Sequence, residues 1–170
     1  MNKQALLSSW DQMRLRHGIT LRLLDQIPDD QLTRHPIAGM RTPAELLVHM
    51  YAGVKSMAAS THTGRLDSPD EKPIVDGITT KAQLRQYLSE AWTAGDREAR
   101  SVTDPQLASP VKTPWGETYP GHFMFAFIND EYLHHRGQLY AFIRTYGIEP
   151  VMLWDFDNNA AEFQPAKVTA

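Results

Sequence analysis

Met124 to Tyr146 reads MFAFINDEYLHHRGQLYAFIRTY, and a single helical seam runs through it: Met124, Ile128, Glu131, His135, Gln138 and Phe142. Steps of four and three residues hold these positions on one helix face, the face that a bundle turns inward. The ends of the seam are apolar; its middle is not. A carboxylate and an imidazole buried without partners cost several kcal/mol. The chain must therefore fold so that something meets them, either a bound cation or a network that satisfies each hydrogen-bonding group.

The remaining chain supplies three more helical patterns. The first runs from about Asn2 to Gln26, with Leu6, Trp10, Met13, His17, Leu21 and Leu24 recurring on one face, and Pro28-Asp29-Asp30 ends it. The second starts at Thr42-Pro43-Ala44-Glu45, an N-cap, a proline in the first turn and a capping-box glutamate, and runs to about Ser60. The third reaches from Thr80 to about Val102, with Leu84, Leu88, Ala91 and Trp92 on its buried side. The seam helix is the fourth, from about Gly121 to Tyr146, closed by Gly147 and Pro150.

Between the second and third helices lies a polar, turn-rich stretch from Thr61 to Thr79, long enough to cross over along the outside of a bundle. Thr103 to Gly121 reads as a further loop, in which TPWGETYPG places Trp115 and Tyr119 in a short hairpin, a pocket wall or a cover for the bundle's end. With no convincing strand, the pattern predicts an all-α four-helix bundle. It spans residues 1–157 as one domain, with a long crossover between helices two and three and a poorly ordered tail over 158–170. The apolar run Val151 to Phe156 is expected to pack back on the bundle or on a second subunit, which makes a homodimer the expected assembly.

Composition narrows the chemistry. There is no cysteine, which excludes disulfides, thiolate metal sites and a cysteine nucleophile. A formal net charge of −3, with no basic stripe, gives no electrostatic case for nucleic acid. No apolar run approaches the ~18 residues of a membrane helix, and the N-terminus MNKQALLSSW lacks a signal peptide's apolar segment. A cytoplasmic protein without membrane contact is expected.

Glu131 and His135, four apart, can share one ion. A third ligand must come from another helix, and His49 is the natural candidate: mid-helix, near the core face and free of any capping duty. Two imidazoles and one carboxylate suit zinc with an open position and equally the facial triad of non-haem iron. His134 and Asp130 lie one step round the helix and are candidate catalytic, second-tier or alternative ligand residues. Glu131 and His134 also form an E-x-x-H pair, but the chain has no second one, which argues against a di-iron carboxylate site. Gly137, inside the helix, costs about 1 kcal/mol against alanine and suggests a close helix–helix approach.

These motifs resemble the DinB-like (DinB/YfiT) family of metal-binding four-helix bundles. The closing helix carries His135-Arg136-Gly137-Gln138 and then Gly147-Ile148-Glu149-Pro150, and GMRTPAELLVHM resembles the start of that family's second helix. The resemblance implies His49, Glu131 and His135 as ligands of a divalent ion, zinc, nickel, iron or manganese. The family's middle ligand is usually histidine, and Glu131 departs from that. Relatives include thiol-dependent S-transferases and isomerases. The resemblance therefore implies a metal-dependent transferase of the thiol S-transferase type, or a hydrolase, acting on a small molecule with a low-molecular-weight thiol as a co-substrate. Gln138 and His17 are then candidates for supporting the ligands or moving protons, and Trp115, Tyr132 and Trp154 for walling the pocket. The alternative is a non-catalytic dimeric bundle, stress-related or serving interaction, whose polar seam is structural.

Overall fold

The computed structural model describes residues 1–166. In chain order the helices are α1 (Lys3–Gln26), α2 (Pro43–Thr63), α3 (Lys72–Gly77), α4 (Lys81–Ser101), α5 (Asp104–Ala108) and α6 (Gly121–Thr145). Four of these are long, and together they form the all-α bundle expected. Their starts are set by short-range chemistry. Asn2 caps α1 by accepting from the Ala5 N–H. Thr42 and Glu45 exchange hydrogen bonds in a complete capping box with Pro43 behind them, and Thr80 with Gln83 repeats the device on α4. Each cap satisfies backbone N–H groups that have no partner within the helix.

Side-chain contacts fix the helix directions. Trp10 stacks on Trp92 at 5.2 Å, while Arg85 near the other end of α4 reaches the Leu21 carbonyl, so α1 and α4 are antiparallel. His62 meets Glu98 at 3.3 Å and Val54 meets Gly95, so α2 and α4 run parallel as neighbours. A parallel pair needs a connection as long as the helices, and the crossover with α3 provides it. At Gly95 an added Cβ would stand 2.8 Å from Val54 Cγ1, so only glycine permits this approach. The α6 helix is antiparallel to α2, with His49 beside His135 and the Tyr51 hydroxyl 3.0 Å from that of Tyr132. Its contacts with α1, Arg16 to Asn129 and Tyr132 to Thr20, run in parallel order.

Three features sharpen or correct the sequence reading, the first by taking the hairpin alternative offered for the loop. The loop after α5 holds a two-stranded antiparallel hairpin, β1 (Pro110–Lys112) and β2 (Thr118–Pro120), with Val111 opposite Tyr119. Strands this short, with Pro110 facing Pro120 at one end, carry too little alternation to be read as strands. Gly137 makes no close helix approach; the space where its Cβ would stand is open. Part of the stretch expected to be a poorly ordered tail, through residue 166, is described and packs against α1. Asn159 is buried and donates from Nδ2 to the Leu15 and Phe163 carbonyls. Phe163 packs edge-on against His17 at 4.7 Å. At Gly18 a Cβ would fall 2.5 Å from Asn159 Nδ2, so α1 keeps a bare backbone where the tail crosses it. Residues 167–170 of the expected tail lie outside the described residues. Of the apolar run, Val151 and Phe156 pack on the core while Met152 and Trp154 remain exposed. Among the described residues no helix is long and apolar enough to cross a membrane.

Behind the seam sits a buried polar chain. His17 Nδ1 meets the Tyr51 hydroxyl, Tyr51 meets Tyr132, and Tyr132 donates to Thr20 at 2.8 Å. Burial, with the Arg85 charge adding to it, pushes the His17 imidazole down to about 3. Its ordinary value is about 6.5 in an unfolded chain, so between those two pH values the unfolded chain binds a proton that the folded one refuses. Stability is complete above about pH 6.5 and falls as the pH drops toward 3, by up to about 1.4 kcal/mol per pH unit from this residue. Urea unfolding at pH 7, 5.5 and 4.5 should show this acid limb in the wild type and a shallower one in His17→Gln.

Candidate metal centre

Two helices and the crossover build the site. The capping box at Thr42 sets the register of α2 and leaves His49 half-buried, two turns in, on the side facing α6. The antiparallel packing of α6 brings His135 opposite, with ring centroids 4.9 Å apart and planes at 81°. Glu131 lies one turn before His135, and its Oε2 is 3.0 Å from His135 Nε2. One ligand atom from each of His49, Glu131 and His135 lies within 4.8 Å of the others.

The far side of each ring is already engaged. His49 Nδ1 is 2.7 Å from Glu71 Oε1, and His135 Nδ1 is 3.1 Å from Gln138 Oε1. Gln138 turns its amide nitrogen to His134 Nε2, at 3.0 Å. Its oxygen must therefore accept, and His135 Nδ1 must carry the hydrogen. A carboxylate at Nδ1 of His49 selects the same tautomer. Each neutral ring then keeps its lone pair on Nε2. At His135 that lone pair faces the Glu131 carboxylate across 3.0 Å. Two lone pairs at this distance repel unless a proton or a cation lies between them. Burial holds His135 below the ordinary histidine range, with the neighbouring His49 adding to the effect; its hydrogen bonds to Gln138 and Glu131 and the Glu131 charge act the other way. The donor set therefore fits a divalent cation: two imidazole nitrogens and one carboxylate oxygen, each imidazole oriented from behind as metal-bound histidines are.

The group opens onto a cavity of about 210 Å³. One wall is α2, through Met50, Gly53 and Met57; the opposite wall is α6, through Ile128. Leu66 to Pro69 of the crossover and Pro114-Trp115 of the hairpin loop close the sides. Trp115 thus takes the wall position expected of it. Trp154 does not: it lies in a separate groove with Gly137 and Tyr140. Tyr132 and His17 belong to the buried network in the core, and neither lines the cavity.

The two candidate catalytic residues also fall outside the cavity. Asp130 is exposed and lines a groove with Trp10 and Phe125, on the α1 side of α6. One helical step is about 100°, enough to carry it off the site. His134 is exposed, with its ring centroid 4.9 Å from that of His135, and it is hydrogen-bonded to Gln138. The supporting place expected for Gln138 is the one it occupies. The residue missed from sequence is Glu71. It stands in a polar crossover that has no helical periodicity, and the only local cue is Pro73, which starts the short α3 just after it.

The sequence profile of the DinB superfamily matches residues 12–139, a span that includes all three ligand candidates. No curated protein sequence matches. Solved structures share the fold. A DinB-like protein from Bacillus cereus is 19% identical, with a TM-score of 0.71 over 89% of this chain and 99% of that one. A DinB-like protein from Bacillus subtilis is 17% identical, with a TM-score of 0.67 over 82% and 91%. A variant of mycothiol-dependent maleylpyruvate isomerase is 16% identical, with a TM-score of 0.63 over 85% of this chain and 68% of that one.

Glu71 holds the His49 ring without reaching the ligand cluster itself. Glu71→Gln should lower the affinity for zinc by about 10–100-fold while the far-ultraviolet circular dichroism stays that of the wild type. Competition against a chromophoric chelator measures the difference.

Proposed function

This chain belongs to the DinB superfamily, and on that premise we propose that it is a divalent-metal-dependent enzyme acting on a small molecule, a transferase of the thiol S-transferase type or a hydrolase. The observation that carries this reading is the convergence of His49, Glu131 and His135 at the edge of a cavity, with both Nδ1 atoms engaged from behind. A purely structural polar seam has no need of a lone pair directed at a carboxylate, nor of an adjoining cavity. A divalent ion held by these three residues supplies Lewis-acid chemistry, lowering the pKa of a bound water or thiol so that it is a nucleophile at neutral pH.

The protein's own groups have distinct tasks in this proposal. His49, Glu131 and His135 hold the ion. Glu71 and Gln138 fix the two rings and their tautomers. Glu131, about half exposed on its side chain, is the ligand nearest to solvent. Trp115 and the crossover residues wall the open side of the cavity. Zinc is the first ion to test, because the donor set matches that of its catalytic sites. A low-molecular-weight thiol is the first nucleophile to test, by analogy with the mycothiol-dependent neighbour.

Protein purified without chelator should contain close to one zinc, nickel, iron or manganese ion per chain by elemental analysis. Because an ion bound only to the folded state stabilises it, EDTA should lower the melting temperature by about 10 °C. Glu131→Ala and His135→Ala should each abolish both effects. A metal-free wild type whose melting ignores EDTA and added zinc would support instead the non-catalytic bundle with a structural polar seam.

A further inference from the structure

Along the cavity, α2 presents His49, Met50, Gly53, Ser56 and Met57, one side of the helix at spacings of three and four. Gly53 sits in the middle of this strip, one turn beyond the ligand His49. Glycine inside a helix weakens it relative to alanine, so its presence calls for a reason. At Gly95 and Gly18 the reason is packing: a Cβ would stand 2.8 Å from Val54 Cγ1 or 2.5 Å from Asn159 Nδ2. At Gly53 there is no such neighbour among the described residues. The nearest atom to an added Cβ is Met57 Cε, at 4.0 Å, the tip of a flexible side chain. The backbone is helical and φ is ordinary, so neither packing nor conformation requires glycine there. What the missing side chain leaves is cavity.

We propose that Gly53 is the specificity-determining residue of this site: its bare helix backbone forms the floor of a slot that takes the uncharged, apolar part of the substrate beside the metal ligands. The proposal rests on the functional reading above and adds to it the class of molecule accepted. The cavity that Gly53 lines is mostly apolar, through Met50, Val54, Met57, Leu66, Ile128 and the indole of Trp115, with Ser56 and Ser68 as neutral polar members. Among the described residues, the charged ones that line the cavity are Asp67, Glu71 and Glu131, all carboxylates, with no lysine or arginine. An anionic substrate group would find no cation there beyond the ion itself and would meet like charge at the rim. A volume of about 210 Å³ suits a group of the size of a benzyl or short alkyl chain. Methionines on the floor and wall can adapt to its shape.

The test uses full-length protein loaded with zinc, as wild type, Gly53→Ala, Gly53→Leu and Gly53→Met. Benzyl mercaptan (apolar, neutral) and 3-mercaptopropionate (anionic) are titrated calorimetrically, with zinc content and melting temperature measured on the same samples. Wild type should bind benzyl mercaptan at least about tenfold more tightly than 3-mercaptopropionate. Gly53→Leu and Gly53→Met should fill the slot and weaken benzyl mercaptan about tenfold or more, with zinc content unchanged. Gly53→Ala should raise the melting temperature by about 2–4 °C. Should the leucine variant not fold, the unbranched methionine carries the same prediction. Unchanged binding in a folded leucine or methionine variant overturns the proposal. So does equal binding of the anionic thiol, or destabilisation by Gly53→Ala. A wild type that takes up no zinc defeats the functional reading alone. Benzyl alcohol observed by NMR on metal-free protein then reads the slot directly, and its loss in Gly53→Leu upholds the assignment, whereas its retention refutes it.

Discussion

The antiparallel contact of α2 with α6 is the interaction on which the site depends. It sets the His49 ring against that of His135 at 4.9 Å and, two residues further along α2, the Tyr51 hydroxyl against that of Tyr132 at 3.0 Å. The same packing that buries the apolar ends of the seam therefore brings its polar middle against a second imidazole. The parallel neighbour α4 then forces the long crossover, and the crossover delivers Glu71 to the back of His49. The carboxylate that orients one ligand thus comes from the connection the topology makes necessary.

Two polar systems share these helices and behave differently. The inner one, from His17 through Tyr51 and Tyr132 to Thr20, is buried and lies outside the cavity lining. Burial keeps His17 neutral and holds the Tyr132 phenol up at about 12, so this network is uncharged at any ordinary pH. The outer one has a cavity, a carboxylate half in solvent and imidazole lone pairs directed inward. The contrast separates a buried, uncharged network from a site able to hold a cation, although both show in sequence only as polar residues on helical faces. It also explains why His17 and Tyr132, candidates for the site from sequence, take no part in it.

What was legible from sequence was whatever local chemistry dictates. The capping box Thr42–Glu45, the stop at Gly147 and the seam spacing each have a short-range physical cause, and they sufficed for the bundle and for His49, Glu131 and His135 as a set. What was not legible is tertiary. Glu71 meets His49 only because the crossover folds back, and nothing in its own neighbours announces this. Asp130 shows the converse: adjacency in sequence to Glu131 turns it away from the site on a helix. Asn159 holds the tail to α1 through a single carbonyl, at Leu15, an interaction with no periodic signature. Gly53 is unremarkable as a letter in a helix and acquires meaning only from the empty space beside it.

The central claim is that these three residues hold one divalent ion at the cavity's edge. X-ray absorption at the metal edge of protein purified without chelator tests it most directly. The account predicts a first shell of nitrogen and oxygen at about 2.0–2.2 Å, with the outer-shell scattering of two imidazoles in the wild type and of one in His49→Ala. An edge signal with oxygen ligands alone, or an imidazole signal unchanged by His49→Ala, would contradict it.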